Sequence, residues 1–273
     1  MPEGHISHRN ARRLEAALAG REIVRVEAPE PRLAPQRIPE RMAGDRVERV
    51  EALGKHHLLR LASGRVLHSH LSLSGAWRVL PAGAPLRRGG LWLALWTREH
   101  VALQLRGPLL RLLEPGEPLP WLAALGPDLL AADLDPAEAM ARRLAAIDPS
   151  RTIGEALLDQ RVVAGIGNIY KSESLFLCGL HPWRTVGSLS EGEARKLGAL
   201  AARLLADGVR DGGRILTFRR PGAARGPGRS TWVYGRRGLP CRRCGAPVRS
   251  RRQGDANRIT YWCPGCQPEP GAR

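Results

Sequence analysis

The stretch Cys241-Arg242-Arg243-Cys244, followed 18 residues later by Cys263-Pro264-Gly265-Cys266, decides how the end of this chain folds. Two Cys-x2-Cys pairs at that separation have the spacing of a four-thiolate zinc site. Each pair makes a tight turn that presents two sulfurs, and the intervening chain has the makings of a hairpin. Thr260, Tyr261 and Trp262 have strand character, and Gly254-Asp255-Ala256-Asn257 supplies a turn. Cys241, Cys244, Cys263 and Cys266 fill all four positions of such a site. One zinc ion held there folds the hairpin and leaves no position for an activated water. Two disulfides are the alternative, and they suit an exported chain. The opening Met1-Pro2-Glu3-Gly4-His5 lacks the apolar core of a signal peptide, so the expectation is an intracellular protein with reduced thiols. The fifth cysteine, Cys178, lies in the apolar run Leu175-Phe176-Leu177-Cys178 and reads as core.

Outward from the cysteines, charge is the next signal. The 273-residue chain carries 43 basic and 26 acidic side chains, a formal net charge of +17. Only Lys55, Lys171 and Lys196 are lysines, and the arginine excess fits a GC-rich genome, so abundance alone carries little meaning. Placement carries more. Between Arg214 and Arg258 there are 13 Arg and a single acid, Asp255, interleaved with Cys, Trp and Tyr. That is a folded basic surface, and it points to a polyanion such as nucleic acid or an anionic membrane face. The longest clean apolar run, Gly90 to Trp96, is far short of the roughly 20 residues a membrane span needs, which argues against a membrane protein.

The hydropathy pattern divides the rest. Apolar positions Ala11, Leu14, Ala17 and Leu18 predict an amphipathic helix over about 7–20. From Ile23 to Leu113 the pattern shortens to eight short strands: 23–26, 46–51, 58–61, 65–70, 75–80, 91–97, 101–105 and 109–113. Such a series predicts a β-sandwich or barrel. After Pro115-Gly116-Glu117-Pro118 the pattern becomes helical, with helices over 136–147, 153–158, 168–177 and 190–205. Residues 219–228 form a Gly/Pro/Arg-rich loop before the cysteines.

Four segments together resemble the formamidopyrimidine-DNA glycosylase and endonuclease VIII family of base-excision repair enzymes. They are Met1-Pro2-Glu3-Gly4; Leu53-Gly54-Lys55-His56; Leu158-Asp159-Gln160 through Gly165-Ile166-Gly167-Asn168-Ile169-Tyr170; and Asn257-Arg258 through Tyr261-Trp262-Cys263-Pro264-Gly265-Cys266-Gln267. They occur in order and span residues 1–267. The resemblance implies an α+β protein. An N-terminal helix and catalytic β-sandwich (residues 1–120) would precede a helix–two-turn–helix DNA-binding domain (132–222) and a four-cysteine zinc finger (232–267). It also implies damaged double-stranded DNA as partner, a monomer, and a bacterial cytoplasmic location at the nucleoid.

The chemistry of these residues can be followed without the name. Removal of Met1 leaves Pro2 with a free secondary amine, which can attack a sugar C1′ and form an iminium that needs no further proton. That iminium acidifies C2′ and allows strand-cleaving elimination. The helix that follows favours the free base. Glu3 is the adjacent acid that can protonate the ring oxygen as the sugar opens. Lys55 offers a compact ammonium to a phosphate. The Gly165–Asn168 turn, with the Asn168 amide, can hold a phosphate at a helix start. By resemblance Arg258 grips the phosphates flanking the lesion, and Leu73, in Ser69-His70-Leu71-Ser72-Leu73-Ser74-Gly75, fills the gap left by the flipped base. His56, His57, His68 and His70 lack a nearby carboxylate or Cys to complete a second metal site.

The chain departs from the formamidopyrimidine-DNA glycosylase branch in two places. The branch's Asp-Pro-Arg-Arg-Phe-Gly stretch is here Leu105-Arg106-Gly107-Pro108, which keeps Arg106 for the void but lacks the aromatic. The lesion-capping loop is not recognisable in 219–228. The opening, Leu73 and the Tyr-Trp-Cys-Pro-Gly-Cys-Gln ending resemble the endonuclease VIII branch more closely, which implies excision of oxidised pyrimidines by a bifunctional glycosylase and abasic-site lyase working through β,δ-elimination. The alternatives are the same chemistry on oxidised purines, or a non-catalytic zinc-finger DNA-binding protein.

Overall fold

The computed structural model describes residues 2–218, 230–255 and 257–269. The loop expected at 219–228 lies outside them. The chain divides into two compact units, Met1–Ala123 and Ala124–Arg273.

In the first unit, helix α1 (Gly4–Leu18) starts three residues earlier than the apolar spacing suggests. Glu3 is extended (φ −120°, ψ 177°), and its carbonyl accepts the Ile6 amide at 2.8 Å, which begins the first turn. The helix buries Ala11, Leu14, Ala17 and Leu18, as its 3.6-residue spacing requires. Next come β1 (Arg25–Glu27), a 3-10 turn (Pro31–Gln36) and the short α2 (Ile38–Met42). The prolines of this stretch and the left-handed Arg37 (φ 48°) keep the chain from making one longer element. Seven further strands follow: β2 (Val47–Leu53), β3 (His56–Leu61), β4 (Val66–His70), β5 (Ala76–Pro81), β6 (Leu91–Trp96), β7 (His100–Leu105) and β8 (Leu109–Leu113).

They pair antiparallel into two four-stranded sheets, β1-β6-β7-β5 and β2-β3-β4-β8. The sheets enclose Leu59, Leu67, Trp77, Leu93, Leu95 and Leu112, to which α1 adds Leu14 and Leu18. One hydrogen bond crosses between the layers, from Trp77 Nε1 on β5 to Ser69 Oγ on β4 at 3.2 Å. This is the sandwich that the strand series predicts.

The second unit is helical. After α3 (Pro120–Ala123) closes the first, α4 (Pro136–Ala145) begins at Asp135, whose carboxylate accepts the Ala137 and Glu138 amides. Then come α5 (Ile153–Ala156), α6 (Asn168–Cys178) and α7 (Glu191–Arg210). Helix α7 opens with a reciprocal cap between Ser190 and Glu193, and continues one turn past the expected Leu205. Helix α6 is the spine. Every residue from Asn168 to Phe176 is buried, and the left-handed Gly179 (φ 74°) ends it. The chain closes with the antiparallel hairpin β9 (Arg249–Gln253) and β10 (Arg258–Trp262). Among the described residues no helix is long and apolar enough to cross a membrane.

Candidate active site and metal centre

In the first unit Pro2 is half-buried at the head of α1, and Glu3 directly after it is wholly buried. Lys55, half-buried, is presented by the β2–β3 turn through Gly54 (φ 58°). Strands β3 and β4 then set histidines face to face, pairing His56 with His70 and Leu58 with His68. His56 Nδ1 lies 2.8 Å from His68 Nε2, the His56 and His70 rings are 4.7 Å apart, and Trp121 stacks on His68 at 5.0 Å. Burial pushes His56 and His57 down to about 3 and His68 to about 4, with the charges of neighbouring histidines adding to it. His70 is also lowered, by burial and then by Lys55. The cluster is therefore neutral near pH 7, with Lys55 and Arg111 the cations beside it.

Leu73 is 59% exposed, at the tip of the turn after β4. Ser72 in that turn holds a left-handed φ of 49°, and Arg106, in the turn after β7, holds 47°. The two turns touch. A Cβ on Gly75 would lie 2.7 Å from Leu71 O and 3.1 Å from Gly107 Cα, so Gly75 is required for the approach, while a Cβ on Gly107 would run into the Gln104 side chain.

In the second unit the Asn168 side chain donates through Nδ2 to Ile259 O at 2.7 Å, next to the exposed Arg258 on β10. The amide named as a phosphate ligand thus also fixes the strand that carries Arg258. Behind it runs a buried polar chain with no counterpart in the expectations. Lys171 Nζ donates to Thr260 Oγ1 at 2.6 Å, Thr260 donates to Gln253 Oε1 at 2.8 Å, and Gln253 Nε2 donates to Pro182 O at 2.9 Å. Glu173, also wholly buried, accepts the backbone amides of Trp232, Val233 and Tyr234 at 2.8–2.9 Å and the Thr217 hydroxyl. The available signal was a lysine and a glutamate two residues apart in a helix with no polar face.

The four cysteine sulfurs lie within 4.8 Å of one another, with Cys244–Cys263 at 3.4 Å and Cys241–Cys266 at 3.8 Å. Zinc–sulfur bonds of about 2.3 Å in a tetrahedron place sulfurs about 3.8 Å apart, so the donor set fits that ion. A Cβ on Gly265 would come within 3.1 Å of Cys244 Sγ, which the turn avoids by using glycine. Outside the ligands, the Cys263 amide donates to Gln267 Oε1 at 3.0 Å, and Gln267 Nε2 donates to Leu180 O at 2.7 Å. Among the described residues this is the one group of side chains with metal-ligand geometry. Pro2, Glu3, Lys55, Leu73 and Arg106 thus belong to one unit; Asn168, Arg258 and the cysteines belong to the other.

Comparison with known proteins covers the whole chain. Residues 1–113 match the formamidopyrimidine-DNA glycosylase N-terminal domain, and residues 125–220 match the formamidopyrimidine-DNA glycosylase H2TH domain. The chain is 42% identical to a probable endonuclease 8 2 of Streptomyces coelicolor, covering 100% of this chain and 98% of that protein. It is 39% identical to the DNA-(apurinic or apyrimidinic site) lyase Nei2 of Mycolicibacterium smegmatis, over 98% and 99% of the two chains. A formamidopyrimidine-DNA glycosylase of Methylococcus capsulatus is 37% identical over 98% of this chain and 100% of its own. Among solved structures, the Lactococcus lactis formamidopyrimidine-DNA glycosylase non-covalently bound to abasic-site DNA superposes with a TM-score of 0.81 at 25% identity, over 98% and 100% of the chains.

Proposed function

The chain belongs to the formamidopyrimidine-DNA glycosylase family, and on that premise we propose that it excises oxidised pyrimidines from double-stranded DNA and then cleaves the abasic strand. The observation that carries this is Pro2 at the head of α1 with the buried Glu3 beside it, in a chain similar along its whole length to a named abasic-site lyase.

The amine nitrogen of Pro2, freed by loss of Met1, attacks C1′ of the flipped nucleotide, and the base leaves with its bonding electrons and a proton. Glu3 donates a proton to the ring oxygen, opening the sugar to an iminium at C1′. Loss of a C2′ proton then expels the 3′ phosphate, and a second elimination expels the 5′ phosphate, leaving a one-nucleotide gap. Lys55 holds a phosphate of the scissile strand, and Arg258 with Asn168 holds those beside it. Leu73 fills the gap in the stack, with Arg106 next to it. Cys241, Cys244, Cys263 and Cys266 would hold one zinc ion, whose contribution is structural. The protein works as a monomer in the cytoplasm of a bacterium, at the nucleoid when bound to DNA.

Leu73 and the missing aromatic after Arg106 support pyrimidine lesions. The identity to a formamidopyrimidine-DNA glycosylase over the full length supports oxidised purines as the second reading. Borohydride reduction in the presence of duplexes bearing dihydrouracil or 8-oxoguanine tests both. The expected result is a covalent adduct mapped to Pro2, formed faster with dihydrouracil and lost when the Pro2 amine is blocked by acetylation. No adduct with either lesion or with a plain abasic site would leave a DNA-binding protein without this chemistry. Full base release by Glu3→Gln would remove Glu3 as the acid.

A further inference from the structure

Leu73 can enter a base stack only if its turn holds the side chain outward, and the turn after β4 is not stabilised by a sheet ladder. Its backbone is closed by one bond, the Gly75 amide donating to Leu71 O at 2.9 Å. Ser72 between them sits at φ 49°, a conformation that serine leaves readily unless something holds it. The Ser72 amide donates to His70 Nδ1 at 3.2 Å, and the Ser72 hydroxyl lies 3.2 Å from the same nitrogen. We propose that His70 is a positioning residue that holds the Leu73 turn in its outward conformation by accepting the Ser72 amide at Nδ1. This rests on Leu73 acting as the wedge.

The geometry also assigns the tautomer. A backbone N–H can only donate, so Nδ1 presents its lone pair and the ring proton is on Nε2. Protonation at Nδ1 would replace that acceptor with a second donor facing the Ser72 N–H. The surroundings oppose it. Lys55 in the β2–β3 turn is the cation that lowers His70, and His56 is its partner on β3. His68 on the same strand has Arg111 of β8 beside it. His57 is wholly buried one position along β3. No carboxylate enters the electrostatics of His70. The ring therefore keeps its acceptor.

Three substitutions separate this role from any other that His70 plays. In His70→Asn the side-chain oxygen replaces Nδ1 at the same number of bonds from the backbone. In His70→Gln the oxygen replaces Nε2, and in His70→Leu neither remains. Single-turnover excision and the fluorescence of 2-aminopurine beside the lesion, which reports unstacking, are read for each. The expected result is a loss on the order of tenfold in the fluorescence step for His70→Leu, the weight of one hydrogen bond. His70→Asn should recover to within about twofold of the parent, and His70→Gln should not recover. In a Leu73→Ala background the His70→Leu loss should vanish, because the turn then presents nothing to insert. In the unbound protein, the Ser72 amide should exchange faster in His70→Leu and at the parent rate in His70→Asn. Recovery by Gln but not Asn, a full His70→Leu loss on top of Leu73→Ala, or unchanged Ser72 exchange would each overturn the proposal. Parent-like excision by Leu73→Ala alone would instead remove Leu73 as the wedge, while the Ser72 exchange still decides whether His70 holds the turn.

Discussion

The two units bury polar side chains in opposite ways. The sandwich places histidines under its β3–β4 face and keeps them neutral, and both ring nitrogens of His57 are without a hydrogen-bond partner. The helical unit threads Lys171 and Glu173 through its centre, with Glu173 alone accepting three backbone amides. The first arrangement depends on the absence of a proton and the second on the presence of every partner. Removing a polar group should therefore matter little in the first unit and greatly in the second.

The largest effect should come from the cysteines. If the four cysteines hold zinc as proposed, its chelation, or Cys241→Ser, should remove up to about 10 kcal/mol of metal-linked folding energy and unravel the hairpin while the sandwich persists. Two separated transitions in calorimetry, against one before chelation, would be the signature. Next is Glu173→Ala, which strands three buried amides and should cost about 3 kcal/mol or more in denaturant melts. A cost below about 1 kcal/mol would mean that the contrast between the units is false.

Acid should act on the sandwich first. His56, His57 and His68 are held at about 3 to 4, below their ordinary 6.5. The unfolded chain therefore takes up protons that the native state refuses. That part of the sandwich's stability is fully present only above about pH 7, and roughly 4 kcal/mol of it is lost between pH 7 and 5.5. In the helical unit Asp159 is lowered to about 2, first by its bond from Arg161, so its contribution is lost only between about pH 4 and 2. His181 shifts in the same direction as the sandwich histidines, but alone. Tryptophan fluorescence melts at pH 7 and 5.5 would check the order. Smaller still is Ser190→Ala, which breaks the reciprocal cap of α7 and should cost about 1 kcal/mol. The smallest is His57→Leu, expected within about 1 kcal/mol of the parent because no hydrogen bond is lost.

What could be read from the sequence follows from how local each signal is. Helix α1, the eight strands and α4 to α7 announce themselves through apolar spacing over successive residues, and the cysteine spacing announces the metal centre. Stretches with no period went unread: the 3-10 turn at Pro31–Gln36, and α2, whose left-handed Arg37 start breaks any pattern. The roles proposed for Pro2, Glu3 and Lys55 rest on a family resemblance, since the residues themselves are ordinary ones in ordinary places. The polar chain from Lys171 through Thr260 to Gln253 was not legible at all, since its members are up to 89 positions apart. Nothing in the strand Arg258-Ile259-Thr260-Tyr261-Trp262 says that its one threonine faces a buried lysine.

Arg249, Arg251, Arg252 and Arg258 are all exposed on the β9–β10 hairpin, and none is a lysine. A guanidinium does not give up its proton at any pH a cell reaches. The attraction between this hairpin and a phosphate chain is therefore a constant of the molecule, set by salt and untouched by acidity. Any bell-shaped dependence of turnover on pH will report on the groups that do the chemistry, and not on the encounter of this hairpin with DNA.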